Sequence, residues 1–187
     1  MMSSKSVLNC KRILAADDPV LDCVERTYNE SFPEVERRDF SLVRQLIADE
    51  LDFQMYVFHR EGQYVGFISG WSFDGFRYGE HFAIDPSQRN GGIGSEALKI
   101  YLAMSADPLV FEVELPDNEL ACRRIRFYER HGLHLDTTHQ YIQPPYRPDG
   151  ESIELRLMTM GDIDLDECFE EVCQTLHRRV YGVHAHA

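Results

Sequence analysis

The stretch HFAIDPSQRNGGIGSEAL, residues 81 to 98, constrains this chain more than any other. An apolar, strand-like run gives way to a polar turn, then to glycines at 91, 92 and 94, then to a helix start. Glycines so placed remove side chains and admit backbone angles that other residues resist. The first turn of a helix leaves main-chain N–H groups unpaired and carries about half a positive charge. Together these features describe a place where an anion, a phosphate above all, can approach the backbone. Arg89 adds a cation beside it.

Two nucleotide loops share this logic. A Walker loop needs GxxxxGK[ST], and no such string occurs. Gly92-Ile93-Gly94-Ser95-Glu96-Ala97 fits the GxGxxA of a dinucleotide fold, with Glu112 about 20 residues on, where a ribose-binding acid is expected. Against that reading, the polar segment from Asp85 through Gly91 is too long for a strand that runs straight into its first glycine. Two helices and at least four strands also come first, which does not suit the opening unit of a dinucleotide domain.

Those elements are read from periodicity. A strand is expected over 10–16, a helix over 17–32 with an acidic, proline-containing first turn, and a helix over 39–51. FQMYVFHREGQYVGFISGWSF alternates on both sides of Glu61-Gly62, the pattern of a hairpin, and a strand follows at 77–84. A helix runs on from Ile93 with Ile93, Ala97, Tyr101 and Met104 on its buried face. LVFEVEL (109–115) is a strand with Glu112 and Glu114 on its polar face. A helix follows, capped by Asp117 or Asn118 and closed by Gly132, then strands near 133–137 and 152–158 around a proline-rich loop. The final helix, within 162–182, carries Leu165, Phe169, Val172 and Leu176 as its apolar stripe. With 187 residues, 43% hydrophobic and without repeats or linkers, the chain reads as one domain, 1–187.

Arg89-Asn90-Gly91-Gly92-Ile93-Gly94 fits the [Q/R]xxGxG/A signature of the GNAT superfamily of acetyl-CoA-dependent N-acetyltransferases, behind a strand ending Phe82-Ala83-Ile84-Asp85-Pro86. Asn118, Ala121, Tyr128 and Gly132-Leu133 resemble the second signature, although the Asn to Tyr interval exceeds the common form by about one helical turn and Leu133 replaces the usual Phe. RRIRFYERHGL is similar to the RRIxFYxxxG form of bacterial members. The resemblance covers about 10–158, leaving a helical extension. It implies an α/β fold of the α+β kind: a mixed, mostly antiparallel central sheet of about six or seven strands, flanked by helices, plus the C-terminal helix.

The resemblance also implies roles. Phe82, Ala83 and Ile84 would pair their backbone with the pantetheine arm, and Arg89, Asn90, Gly91, Gly92, Ile93, Gly94 and Ser95 would hold the pyrophosphate of acetyl-CoA, a cosubstrate. Glu80 and then Glu112 are the candidate bases, and Tyr128 the acid that returns a proton to the thiolate. His81, next to Glu80, is expected on the opposite face of its strand, as a packed residue. One of Arg123, Arg124, Arg126 and Arg130 could meet the 3′-phosphate, the rest forming a solvated face with Glu119–Arg123 and Arg126–Glu129 pairs. SFPEVERR (31–38) and Gln143-Pro144-Pro145-Tyr146 resemble walls of the acceptor site, where Trp71, Tyr141 and Tyr146 could stand. The expected acceptor is a primary amine of a small molecule or peptide. The competing reading is a non-catalytic acyl-CoA-binding sensor of the same fold.

Other classes are disfavoured. A net charge of −13 argues against nucleic acid and anionic membranes as partners, and leans toward a cationic acceptor. The five cysteines form no CxxC pair, and His131 and His134 lack the Glu of a metal-binding helix, so no metal is expected. No apolar run is long enough to span a membrane and the N-terminus does not resemble a signal peptide, which points to a cytoplasmic protein. A homodimer is compatible with the resemblance, and the sequence leaves oligomeric state open.

Overall fold

Glu61 and Gly62 set the first hairpin. In the computed structural model, which describes residues 7–89 and 91–183, both have positive φ, 53° and 77°. A two-residue turn of that kind matches the right-handed twist of the strands it joins, and it locks β2 (Phe53–Arg60) against β3 (Gln63–Ser72) with Arg60 opposite Gln63. β1 (Leu8–Ile13) pairs antiparallel with β2, and β4 (Arg77–Ile84) antiparallel with β3. Helices α1 (Leu21–Ser31), α2 (Phe40–Asp49) and α3 (Ile93–Leu102) pack on these four strands. Leu21, Val24 and Tyr28 of α1 and Phe40 and Val43 of α2 are buried, as are Val57, Phe67 and Ile68 of the strands. Each such side chain contributes roughly 1.5 to 3 kcal/mol.

These elements form one compact unit, the chain up to Pro33 plus Asp39–Ala106; the second unit is Glu34–Arg38 plus the chain from Asp107 onward. In the second, β5 (Leu109–Glu114) and β6 (His134–Leu135) pair antiparallel with β8 (Ile153–Met160), as does β7 (Tyr141–Gln143). Helix α4 (Glu119–Glu129) packs on β5 and β6. Its cap is Asn118, whose side chain accepts from the Ala121 amide at 2.9 Å, and it ends before Gly132 at φ 91°. Helix α5 (Leu165–Arg179) has Asp166 and Glu167 in its first turn and His177, Arg178 and Arg179 in its last, the arrangement that suits its dipole.

The fold is mixed α/β with mostly antiparallel strands flanked by helices and a C-terminal helix. Several boundaries differ from the sequence reading. β7 was hidden in the proline-rich loop, so the described residues hold eight strands rather than six or seven. β1 begins and ends earlier, because Ala15 and Ala16 turn away: the Ala15 carbonyl accepts from the Asp18 amide and that of Ala16 from Arg44. α1 begins at Leu21 because Asp18 accepts from the Val20 amide at 3.0 Å and from Lys11 at 2.9 Å, fixing a turn. α3 stops at Leu102, which leaves Met104 39% exposed instead of on the buried face.

Asp85 joins β4 to the glycine segment. Its carboxylate accepts from the Ser87 amide at 2.9 Å, the Ser87 hydroxyl at 2.6 Å, Arg26 at 3.2 Å and the Thr27 hydroxyl at 3.4 Å. Burial pushes this carboxyl up, but Ser87 and Arg26 outweigh it, so the net direction is down. The stabilisation is therefore complete above the ordinary value of 3.8 and is lost as pH falls through the lower folded value. Asp85→Ala should cost about 1 to 2 kcal/mol at pH 7 and flatten the acid side of the stability profile; urea unfolding at several pH values measures both.

Candidate active site

The glycine segment leaves β4 through a 3-10 turn, Pro86–Gln88. Gly91 and Gly92 both lie in the left-handed region, at φ 78° and 80°, and a Cβ added to either would meet nothing within 4 Å. Backbone angle, not crowding, demands glycine here, and the space beside it is open. Gly92 is the N-cap of α3 and, having no side chain, supplies no cap of its own. Ile93 is buried and seats the first turn, while Glu96 ties α3 back to the sheet through Arg60 and the Leu8 amide. Arg89 does not reach across the loop; it brackets it, donating to the Ile84 carbonyl at 3.2 Å and the Ser31 hydroxyl at 3.2 Å. Asn90 lies outside the described residues.

Phe82, Ala83 and Ile84 pair with Ile68, Phe67 and Gly66 of β3. Just before them the ladder slips: Ser69 faces His81 while Gly70 faces Gly79, so Glu80 is the extra residue of a β-bulge. Bulges re-aim side chains. Here the strand's alternation is broken, and Glu80 Oε1 lies 3.9 Å from His81 Nδ1 rather than on the opposite face. His81 packs edge-on against Tyr28 and Phe32, at 4.8 and 4.6 Å between ring centres. The Glu80 side chain is 1% exposed and accepts from Trp71 Nε1 at 2.9 Å.

In the second unit, Tyr128 of α4 sits edge-on to Phe111 of β5 at 5.1 Å. Burial pushes its phenol up to about 12, with Arg124 opposing and Glu114 adding to the shift. Arg124 pairs with Glu114, and Arg126 donates to the Cys122 carbonyl at 3.1 Å; the expected Glu119–Arg123 and Arg126–Glu129 pairs do not form. Asn118 is committed to its cap. Glu112 is covered rather than solvent-facing, its two oxygens accepting from the hydroxyls of Tyr141 and Tyr181, the latter at 2.6 Å. Trp71 and Tyr141, expected near the acceptor, are buried at 2% and 1% exposure with their polar ends on Glu80 and Glu112. Tyr146 is half-buried beneath Arg38, 4.8 Å from its ring centre.

Tyr181 escaped sequence reasoning, and Glu36 and Arg38 were covered only as members of the 31–38 segment. Burial pushes the Glu36 carboxyl up, Glu114 adding to this and Arg124 opposing it. Arg38, itself buried, donates to the Val180 carbonyl at 3.2 Å. Tyr181 rests against Tyr146 at 4.9 Å as well as on Glu112. No motif joins positions 142 residues apart, so only the fold could bring them together. Among the described residues no group of His, Cys, Asp and Glu is arranged to hold a metal ion, and no helix is long and apolar enough to cross a membrane.

A solved chain from Bacteroides thetaiotaomicron assigned to the GNAT family as an acetyltransferase is 36% identical and superposes with a TM-score of 0.89, over 94% of this chain and 99% of that one. The chain belongs to the GNAT family of acetyltransferases. The acetyltransferase (GNAT) domain family matches residues 52–133, from the second strand through the close of α4. The fold is shared more distantly by the ribosomal-protein-S18-alanine N-acetyltransferase of Escherichia coli, at 16% identity and TM-score 0.59 over 82% of this chain and 93% of that one. It is also shared by a GNAT acetyltransferase of Elizabethkingia anophelis with acetyl-CoA bound, at 13% and 0.57 over 85% and 99%. No curated protein sequence matches the chain.

A side chain at Gly92 would have to adopt a left-handed angle at a cost of about 1 to 2 kcal/mol, or rebuild the loop. Gly92→Ala in this acetyltransferase should weaken acyl-carrier binding at least about tenfold while unfolding within about 2 kcal/mol of wild type; calorimetry and chemical denaturation check the pair.

Proposed function

We propose that this acetyltransferase moves the acetyl group of acetyl-CoA onto a primary amine of a small molecule or peptide by direct attack, with both substrates bound and no covalent enzyme intermediate. The observation that carries the reading is the start of α3, where two left-handed glycines lead into a helix whose N-cap residue has no side chain. Such a turn offers main-chain donors and a positive dipole end to a diphosphate. The acetyl-CoA in the Elizabethkingia structure and the amine chemistry named for the Escherichia enzyme support the choice of donor and acceptor.

In this reading the backbone of 82–84 pairs with pantetheine, the 89–95 backbone holds the diphosphate, and the chain acts as one catalytic domain. An amine like that of lysine, with a pKa near 10.4, costs roughly 4.6 kcal/mol to neutralise at pH 7, so a base matters. Glu80 is preferred to Glu112, because both Glu112 oxygens are held by phenols. A backbone N–H of 82–84 stabilises the oxyanion. The family resemblance gives Tyr128 the departing sulfur as its partner. With its phenol near 12 and a thiol near 8.5, complete proton transfer is uphill by about 5 kcal/mol. Its part is therefore to hydrogen-bond the thiolate as it forms, the proton being made good from the amine through Glu80 or water. Five unpaired thiols suit a reducing compartment and support a cytoplasmic setting.

The test is release of free CoA thiol from acetyl-CoA across a panel of primary amines. Amine-dependent thiol with intersecting initial-rate lines is expected; parallel lines contradict direct attack, and no thiol with any amine contradicts the reaction. Tyr128→Phe should lower kcat about 100-fold with acetyl-CoA affinity nearly unchanged, and an unchanged kcat removes Tyr128 from the mechanism.

A further inference from the structure

Glu80 has an unusual problem of placement. As the extra residue of the β4 bulge it falls between paired positions of the ladder, Ser69 and Gly70 facing His81 and Gly79. Ladder pairing therefore does not fix its direction, and side-chain contacts must. One of those contacts is a stiff one. Trp71 is 2% exposed, set edge-on to Phe53 at 5.3 Å and stacked with Phe73 at 5.9 Å, and Phe73 is itself backed by Phe76 at 5.4 Å. Its Nε1–H thus arrives at Glu80 Oε2, 2.9 Å away, from a ring with little freedom.

We propose that Trp71 is the positioning residue for the catalytic base: its indole N–H holds Glu80 Oε2, turns the carboxylate and keeps it ionised inside the fold. The proposal rests on the reading of Glu80 as base. A carboxylate this buried is penalised in its charged form unless donors compensate, and an N–H to an ionised oxygen is among the stronger compensations. Around Glu80, His81 Nδ1 stands 3.9 Å from Oε1, and the His81 ring is flanked by Tyr28 of α1. Arg77, three residues earlier on β4, is turned to the far end of α3, donating to the Tyr101 and Ser105 carbonyls at 3.4 and 3.1 Å. The indole is a neutral donor, so its effect persists across the whole working pH range.

The competing view is that a buried indole simply needs an acceptor, which is ordinary for tryptophan. A purely structural contact changes unfolding and leaves the pH dependence of turnover alone; a positioning contact moves it. Trp71 is the sole tryptophan of the chain, so its emission reports the protonation of Glu80 directly, without any substrate.

The experiment pairs two measurements on the full chain. Emission excited at the tryptophan edge should titrate with a midpoint equal to the acid limb of kcat/KM, measured with acetyl-CoA and an amine found active in the panel. Glu80→Gln should flatten that titration. In Trp71→Phe the acid limb should move up by about one pH unit, kcat at neutral pH should fall, and KM for acetyl-CoA should stay within about twofold. An acid limb that does not move in folded Trp71→Phe overturns the proposal, as does an emission titration that survives Glu80→Gln, which would assign the signal to His81. If Trp71→Phe does not fold, the wild-type and Glu80→Gln titrations decide alone. Undiminished turnover in Glu80→Gln removes the base and with it the positioning role; an inactive Glu80→Gln beside an unmoved Trp71→Phe limb removes the positioning role only.

Discussion

The structure of the first unit turns on one carboxylate. Asp85 ends β4 and gathers four donors from three directions: Ser87 ahead of it in the chain, and Arg26 and Thr27 on α1. That gathering fixes the angle at which the chain leaves the sheet, and so where Gly91, Gly92 and the first turn of α3 come to stand. Glu96 completes the frame at the other side, where Arg60 and the Leu8 amide hold the helix to β1 and β2. A helix terminus attracts an anion anywhere; between these two anchors it becomes a terminus with a fixed address.

On the same strand the setting of Glu80 comes from irregularity. The Glu80 bulge gives up a ladder position, and its neighbours compensate with packing: Trp71 among Phe53 and Phe73 on one side, His81 between Tyr28 and Phe32 on the other. In the second unit the polar groups are gathered more tightly. Glu112 binds two phenols, one from β7 and one from beyond α5, and the Arg38, Tyr146 and Tyr181 contacts close around it. The C-terminal helix is thus more than an appendage to its unit. Its end carries the phenol and the carbonyl to which the cluster is tied.

What could be read from the sequence was whatever short-range chemistry decides. Strand 77–84, the Glu61-Gly62 turn, the Asn118 cap and the glycine-led start of α3 each depend on neighbours within a few residues, and each stands where periodicity and turn chemistry put it. Boundaries slipped where a side chain captured the backbone, as Asp18 did ahead of α1. Strand β7 went unseen because three residues beside Pro144 carry no period; it exists through its pairing with β8. The bulge is likewise a property of two strands in register, so strict alternation misplaced His81 relative to Glu80. The partners of Glu112 and Arg38 were beyond reach for the same reason, being contacts 69 and 142 residues apart in sequence.

The central claim is that main-chain N–H groups at the start of α3 receive the diphosphate of acetyl-CoA. Amide hydrogen exchange followed residue by residue, with and without saturating acetyl-CoA, addresses those groups themselves. The account predicts slowed exchange concentrated at 91–95 and 82–84, with α5 little changed. Tight binding of acetyl-CoA that leaves exchange at 91–95 unaltered would contradict it.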